Sequence, residues 1–461
     1  MPAETKLNQF SLELLARIIN AEPAPIAAAC FSTVSTDSRT TRPGECFFAI
    51  AGENFDGHDY VADAFAKGAA CAVVDKDIRQ AGQNILKVGD AVKALGDWAR
   101  WYRREMNFTV AAITGSVGKT TTRQIIYHVL GRHFRVSQSP KNFNNYIGLP
   151  LTLLAARPDD EIVVAEIGAN RPGEVSYLTR VACPDIALVT NVYPVHLSGF
   201  GDLRTIAAEK LSIAEALRPD GTLIINQDCK TLAGACREKN LSFVSFGKSP
   251  ASDMQVTDIS HTGRESSFTI NGCRLTLPLP GLANVENACA ACAVCSRFGI
   301  TVEDFAHALR TLPAVPMRAE LLNIGNLTIL NDCYNANPAS MKNALDILLD
   351  LAKDSHRRPV FICGDMAELG RQSAALHVEL GRMVANAKVK LLITVGALTK
   401  LTAKTARTAA QYNMHIESFD NTASLCNNLK ELIKDSDIVL VKGSRSVGLE
   451  KAADALKGFF S

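Results

Sequence analysis

One short run of this chain concentrates more chemical potential than any other: Thr114-Gly115-Ser116-Val117-Gly118-Lys119-Thr120, followed by Thr121. Glycines let backbone N–H groups converge on phosphate oxygens, and a helix N-terminus adds a favourable dipole. Lys119 supplies charge, and the Thr120 hydroxyl has the reach to meet a magnesium ion. The general phosphate-loop pattern places a glycine five residues before Gly118, and here Ile113 stands there. A glycine-rich turn without a ligand is the alternative, but the strand-to-helix context favours phosphate. Glu166 ends an apolar run beginning at Ile162, which puts a carboxylate at the C-terminal edge of a sheet, where α/β proteins bind ligands and where a hard cation prefers oxygen. A surface acid at a strand end is its plain alternative. His196 follows the next strand and reads equally as structural or functional.

Lys210 interrupts the apolar stripe Leu203, Ile206, Ile213 and Leu217 of a helical segment spanning 202–217. Buried, it would lose its proton and become a nucleophilic amine able to bind carbon dioxide or position a substrate. Snorkelling to solvent is the reading its residue type alone favours. Cys289, Cys292 and Cys295 have a metal-like spacing, yet they fall in an Ala-rich helical run where i, i+3 and i+6 form a stripe of small side chains suited to close packing. No fourth ligand is nearby, so no metal is assigned there. Neither a Gly-x-Ser-x-Gly elbow nor a persuasive Cys and His pair points to covalent catalysis by the protein.

These groups need a scaffold of parallel strands. The run Thr109–Thr114 enters the glycine loop and a helix follows over 119–130, with further buried-type strands at 162–167, 186–190 and 222–226. Short apolar runs at 46–51, 70–75 and 85–88 predict a compact α/β unit before them, and strands near 327–331, 360–363, 391–395 and 438–441 predict a second doubly wound unit after. Pro313 and Pro316 mark a hinge within 312–317. The fold class expected is α/β with three domains: 1–106, 107–316 and 317–461. A length of 461 residues with 47% hydrophobic and 21% charged content supports several cores. The net charge of +2 gives no field-level reason to expect nucleic acid or an anionic membrane. Without a leader-like start or an 18-residue apolar stretch, and with 13 scattered cysteines, the reading is a cytoplasmic protein with free thiols, not inserted in a membrane.

Several stretches taken together resemble the Mur ligase family: Thr36-Asp37-Ser38-Arg39, residues 52–58, the Thr-Gly-x-x-Gly-Lys-Thr loop, Lys141-Asn142-Phe143-Asn144-Asn145, Glu166-Ile167-Gly168-Ala169-Asn170, residues 191–199 and residues 284–287. Arg318, Asn331-Asp332-Cys333-Tyr334-Asn335-Ala336-Asn337-Pro338, Gly364-Asp365-Met366-Ala367-Glu368-Leu369-Gly370 and Lys442-Gly443-Ser444-Arg445 continue it along nearly the whole chain. The Tyr-Asn-Ala-Asn-Pro and Asp-Met-Ala-Glu-Leu-Gly runs resemble the branch that joins D-alanyl-D-alanine to UDP-N-acetylmuramoyl-tripeptide. The family's loop also lacks the first glycine, which removes the anomaly at Ile113.

The resemblance implies an N-terminal UDP-sugar domain, a central P-loop ATPase domain and a C-terminal Rossmann-like domain for the amine substrate. It further implies that Gly115, Ser116, Val117, Gly118, Lys119, Thr120 and Thr121 bind ATP, with Asn287 at adenine and Arg318 and Asp332 toward ribose or phosphates. Thr120 and Glu166 would hold one magnesium and His196 would assist a second. Lys210 would be carbamylated, its amine turned into a metal-binding carboxylate. Asp37, Ser38 and Arg39 would belong to the uridine site, Asn142 and Asn145 to the muramoyl-peptide side, and Asn335 and Asn337 to the dipeptide. The activity implied is amide formation through an acyl phosphate, releasing ADP and phosphate, by a monomer in the cytoplasmic stage of peptidoglycan precursor synthesis. A folylpolyglutamate-synthetase-like ligase and a P-loop switch or transport ATPase are the rivals at this stage.

Overall fold

The computed structural model describes residues 9–23, 28–52, 54–78, 84–195 and 197–461. Its central sheet has nine strands, and its middle is built from the β-branched runs seen in the sequence. Thr109–Thr114 pairs in parallel with Ile186–Val189 on one side and Ile162–Glu166 on the other. These strands are buried almost throughout because helices cover both faces, which is why their sequences run apolar without alternation. The register sets Ile113 opposite Glu166 and Thr114 opposite Val189, so the glycine loop and the Glu166 carboxylate leave the same edge together. Beyond Val244–Gly247 the sheet continues into Met254–His261, Ser266–Ile270 and Cys273–Leu277, an antiparallel extension that the sequence reading did not place.

A six-stranded sheet follows, in the order Glu320–Ile324, Leu327–Asn331, Ile438–Lys442, Pro359–Gly364, Leu391–Val395 and His415–Phe419. Only its first strand is antiparallel. Because the last strand in sequence inserts beside the first parallel ones, their C-terminal ends open a crevice of the kind that holds ligands. Asp332, Lys442 and Ser444 lie at that edge. The linker into this unit carries two non-glycine residues with positive φ, Met317 (58°) and Ala319 (49°). Such torsions persist only when neighbours fix them. Here Glu320 Oε2 accepts from the Met317 amide at 3.0 Å, and Asp332 Oδ1 from the Ala319 amide at 3.1 Å.

The N-terminal part holds four short parallel strands, Val34–Ser35, Cys46–Phe48, Cys71–Val74 and Ile85–Lys87. The helix Ala91–Glu105 joins it to the central sheet. Buried Arg103 donates to the Ala182 carbonyl at 3.1 Å and to Asp185 Oδ2 at 2.6 Å, which pins the helix to the central unit. Cys289, Cys292 and Cys295 lie buried on the helix Leu282–Cys295, in the same core as the helix Lys119–Leu130, as the packing reading expects; burial pushes their thiols upward.

Trp98 and Trp101 stack at 4.6 Å, and both of the chain's tryptophans therefore report on one aromatic cluster with Phe10 and Phe31. Phe31 is buried and sits 5.5 Å from Trp98. Phe31→Ala is expected to destabilise this unit by roughly 3–5 kcal/mol. The urea midpoint followed by tryptophan fluorescence would fall; an unchanged midpoint would show that the cluster does not hold the unit together.

Candidate active site

Two residues in the phosphate loop must be glycine for steric reasons. Gly115 (φ 144°) lies against the Thr190 hydroxyl and Gly118 (φ 86°) against Asn287 Oδ1, and a β-carbon at either would collide with that oxygen. The loop is gripped from behind by Asn191, whose Oδ1 accepts from the Val117 amide at 3.0 Å and whose Nδ2 donates to the Val117 carbonyl at 3.1 Å. Thr190 donates to the same carbonyl at 2.7 Å. Ser116 exchanges hydrogen bonds with the Tyr193 backbone. Lys119 folds back to donate to the Gly115 carbonyl at 2.7 Å, and desolvation lowers its ammonium pKa against the pull of Glu166.

Thr120 Oγ1 lies 3.0 Å from Glu166 Oε2. The second carboxylate oxygen accepts from Asn144 Nδ2 at 3.0 Å, and Arg318 donates to Thr120 Oγ1 at 3.1 Å. Two hard oxygen donors thus face each other at the end of the phosphate loop, a donor set that suits magnesium. Arg318 in turn stacks over the Tyr334 ring at 4.2 Å, with Arg445 at 5.9 Å from the same ring.

Lys210 is 1% exposed, which corrects the snorkelling reading. The helix that carries it runs only from Leu203 to Leu211, so the stripe expected through Leu217 does not continue, and Leu203 is itself exposed. Neighbouring Glu209 fixes the helix by accepting from the Gly173 and Val175 amides, both at 2.7 Å. The Lys210 amine has no hydrogen-bond partner among the described residues and lies 5.6 Å from the Phe200 ring, lining the cleft. Desolvation, then the nearby charge of Lys119, brings its pKa down to about 7.

These groups line a single cavity of about 1000 Å³ between the central and C-terminal sheets. Gly115 through Thr121, Glu166, Lys210, Asn287, Arg318 and Asp332 all reach it, as do Asn142, Asn145, Asn335 and Asn337. Some of these side chains already have structural work. Asn145 Oδ1 accepts from the Gly148 amide at 2.9 Å where a helix begins, and Asn337 forms a capping box with Ser340. The Asp332 carboxylate is held by buried Lys442 at 2.6 Å. Asp37, Ser38 and Arg39 do not reach this cavity: Arg39 pairs with Asp37 at 2.7 Å, and the Ser38 carbonyl accepts from Lys67 at 2.8 Å. His196 lies outside the described residues. Asn144, Asn191, Lys442 and Tyr334 carry no individual role in the sequence alone: all four lie within the family-like motif runs, but their partners are distant in sequence.

Three family models cover most of the chain: the Mur ligase family catalytic domain over residues 31–103, the Mur ligase middle domain over 113–295, and the Mur ligase glutamate ligase domain over 317–445. A UDP-N-acetylmuramoyl-tripeptide--D-alanyl-D-alanine ligase from Bacillus subtilis is 36% identical over 91% of both chains. The chain belongs to the Mur ligase family. Among solved Mur ligases, MurF from Acinetobacter baumannii superimposes with a TM-score of 0.89 at 29% identity, covering 98% of this chain and 100% of that one. The MurF ligase from Thermotoga maritima, in complex with ADP, gives 0.80 at 26% identity over 93% and 97% of the two chains.

Burial and the charge of Lys119 bring the Lys210 amine down to about 7, so it loses its proton well below exposed lysines. Acylation of Lys210 by a small reagent, followed by mass spectrometry, is expected to rise through pH 7 as the proton leaves, while exposed lysines rise only toward about 10.4. If Lys210 follows the exposed lysines, it is protonated in the cleft.

Proposed function

We propose that this Mur ligase is an ATP-dependent amide ligase that adds D-alanyl-D-alanine to UDP-N-acetylmuramoyl-tripeptide in the cytoplasmic stage of peptidoglycan synthesis, acting as a monomer. The observation that carries the reading is the convergence of the Lys119 loop, the Thr120–Glu166 oxygen pair and buried, proton-poor Lys210 on one cleft shared with the C-terminal unit. The Bacillus subtilis relative bears that activity in its name and the Thermotoga maritima neighbour holds ADP. Residues 1–106 take the UDP-sugar end, 107–316 the nucleotide, and 317–461 the dipeptide. The uridine end falls to Asp37, Ser38 and Arg39, the muramoyl peptide to Asn142 and Asn145, and the dipeptide to Asn335 and Asn337.

A carboxylate is a poor acyl donor because its charge repels nucleophiles and its oxygen leaves badly. Attack by a tripeptide carboxylate oxygen on the γ-phosphorus of ATP expels ADP and gives an acyl phosphate. The dipeptide amine then attacks the acyl carbon, phosphate departs, and the nitrogen loses its proton. Loop amides and Lys119 hold the phosphates, and Arg318 reaches the same end of the loop from the linker. Asn287 takes adenine, and Asp332, fixed by Lys442, borders the nucleotide. Thr120 and Glu166 would hold magnesium, with His196 assisting a second ion; bound there, the metal offsets the converging negative charges. The Lys210 amine adds to carbon dioxide, forming an N–C bond and releasing a proton, which supplies another carboxylate toward the metals. Closure about the 312–317 linker excludes water that would hydrolyse the acyl phosphate.

Lys119→Ala is expected to abolish turnover, at least a hundredfold on the roughly 10²–10³ scale of a lost transition-state contact, while circular dichroism stays unchanged. Wild-type rates in that variant would remove the phosphate-loop assignment. ADP and phosphate should form only with both cosubstrates present. AMP and pyrophosphate as products would refute the acyl phosphate, and hydrolysis indifferent to both cosubstrates would favour a switch or transport ATPase. Lys210→Ala should be inactive and partly recover with added formate or acetate, an outcome expected only if the missing group is a carbamate.

A further inference from the structure

Arg123 lies one turn inside the helix Lys119–Leu130, and nothing in the chemistry above uses it. It is 1% exposed. One terminal nitrogen donates to Gln138 Oε1 at 2.7 Å and to the Ser139 carbonyl, and the other to the Lys141 carbonyl at 3.3 Å. Its Nε lies 3.5 Å from Glu166 Oε2. The guanidinium therefore holds, at one time, the carboxylate beside Thr120 and the backbone segment that leads to Asn142, Asn144 and Asn145. That segment turns through Lys141 at a φ of 47°, a torsion that a bulky residue keeps only under constraint. A second set of bonds ties the same two elements: the Glu166 amide donates to Ser139 Oγ at 3.0 Å and the Gly168 amide to the Asn144 carbonyl at 2.8 Å.

Burying a guanidinium is costly, and an apolar side chain of similar volume often serves stability as well. What an apolar group cannot do is bond two carbonyls and an amide oxygen while keeping a positive charge within ion-pair range of a carboxylate; lysine, with a single ammonium, cannot span them either. We propose that Arg123 is a positioning residue for the ligation: it sets the Glu166 carboxylate and residues 139–145 in one register, so that the metal side of the site and the acceptor peptide's carboxyl end meet correctly. This rests on the ligase reading above.

The test compares Arg123→Lys and Arg123→Met with the wild-type protein, using UDP-N-acetylmuramoyl-tripeptide, D-alanyl-D-alanine, ATP and magnesium. The lysine variant is expected to raise KM for the muramoyl peptide roughly tenfold, with KM for ATP and the dipeptide within about twofold, since only one edge of the cleft is released. The methionine variant should also raise the magnesium concentration needed for half-maximal rate. A loss confined to kcat and matching the unfolded fraction, with KM values and magnesium dependence unchanged, would overturn the proposal. Failure of both variants to fold would overturn it too, by making Arg123 a stability residue. Wild-type protein separates the two readings: no amide from it removes the ligase assignment, whereas amide with unmoved KM values in the variants removes Arg123 alone.

Discussion

Glu166 is a carboxylate withdrawn from water at the end of a central strand, and the cleft is organised around keeping it there. A buried charge persists only when paired and hydrogen-bonded. Its partners come from three places: the Thr120 hydroxyl at the loop, the Asn144 amide across the edge, and the Arg123 guanidinium beneath. No one of them is next to it in sequence. The fold must therefore bring the phosphate loop, the strand end and the segment after residue 138 to one point, and parallel pairing of Thr109–Thr114 with Ile162–Glu166 does so by register alone.

The electrostatics of the remaining cleft follow. A reaction that brings carboxylate and triphosphate together needs positive charge without a wide positive field. Lys119, Arg318 and Arg445 supply it locally in a chain whose net charge is only +2. Both arginines lie against the Tyr334 ring, at 4.2 and 5.9 Å, and both reach the cleft. Lys442 is spent internally, on Asp332 and the Asn335 carbonyl, and so shapes the C-terminal edge without offering a charge to a ligand.

What the sequence made legible was local. The glycine loop announces itself because phosphate binding demands small residues, a lysine and a helix start within seven positions, and Glu166 because an acid ends an apolar run. Lys210 was half legible: periodicity turned it inward, but lysine stems usually escape to water. Burial won because the helix stops at Leu211 and Glu209 anchors it to the start of the next helix over. The antiparallel strands between 254 and 277 carry the period-two alternation of half-buried strands, with Met254 and Val256, Phe268 and Ile270, and Leu275 and Leu277 turned inward, and they escape a reading that looks for continuous apolar runs. Arg123, Asn144 and Asn191 were invisible as individuals, since each acts through a partner 15 to 74 positions away. Asp37 and Arg39 pair with one another on the N-terminal unit, outside the main cleft, so nothing in the cleft itself points to them.

The close approach of Gly118 to Asn287 makes two distant stretches one heritable unit. A methyl group added to the loop would have to displace the Asn287 side chain, and the helix Leu282–Cys295 that carries it is wedged by its small alanine and cysteine side chains into the core it shares with the loop's own helix. Grafting the loop onto another scaffold would therefore fail unless its roof were carried along with it.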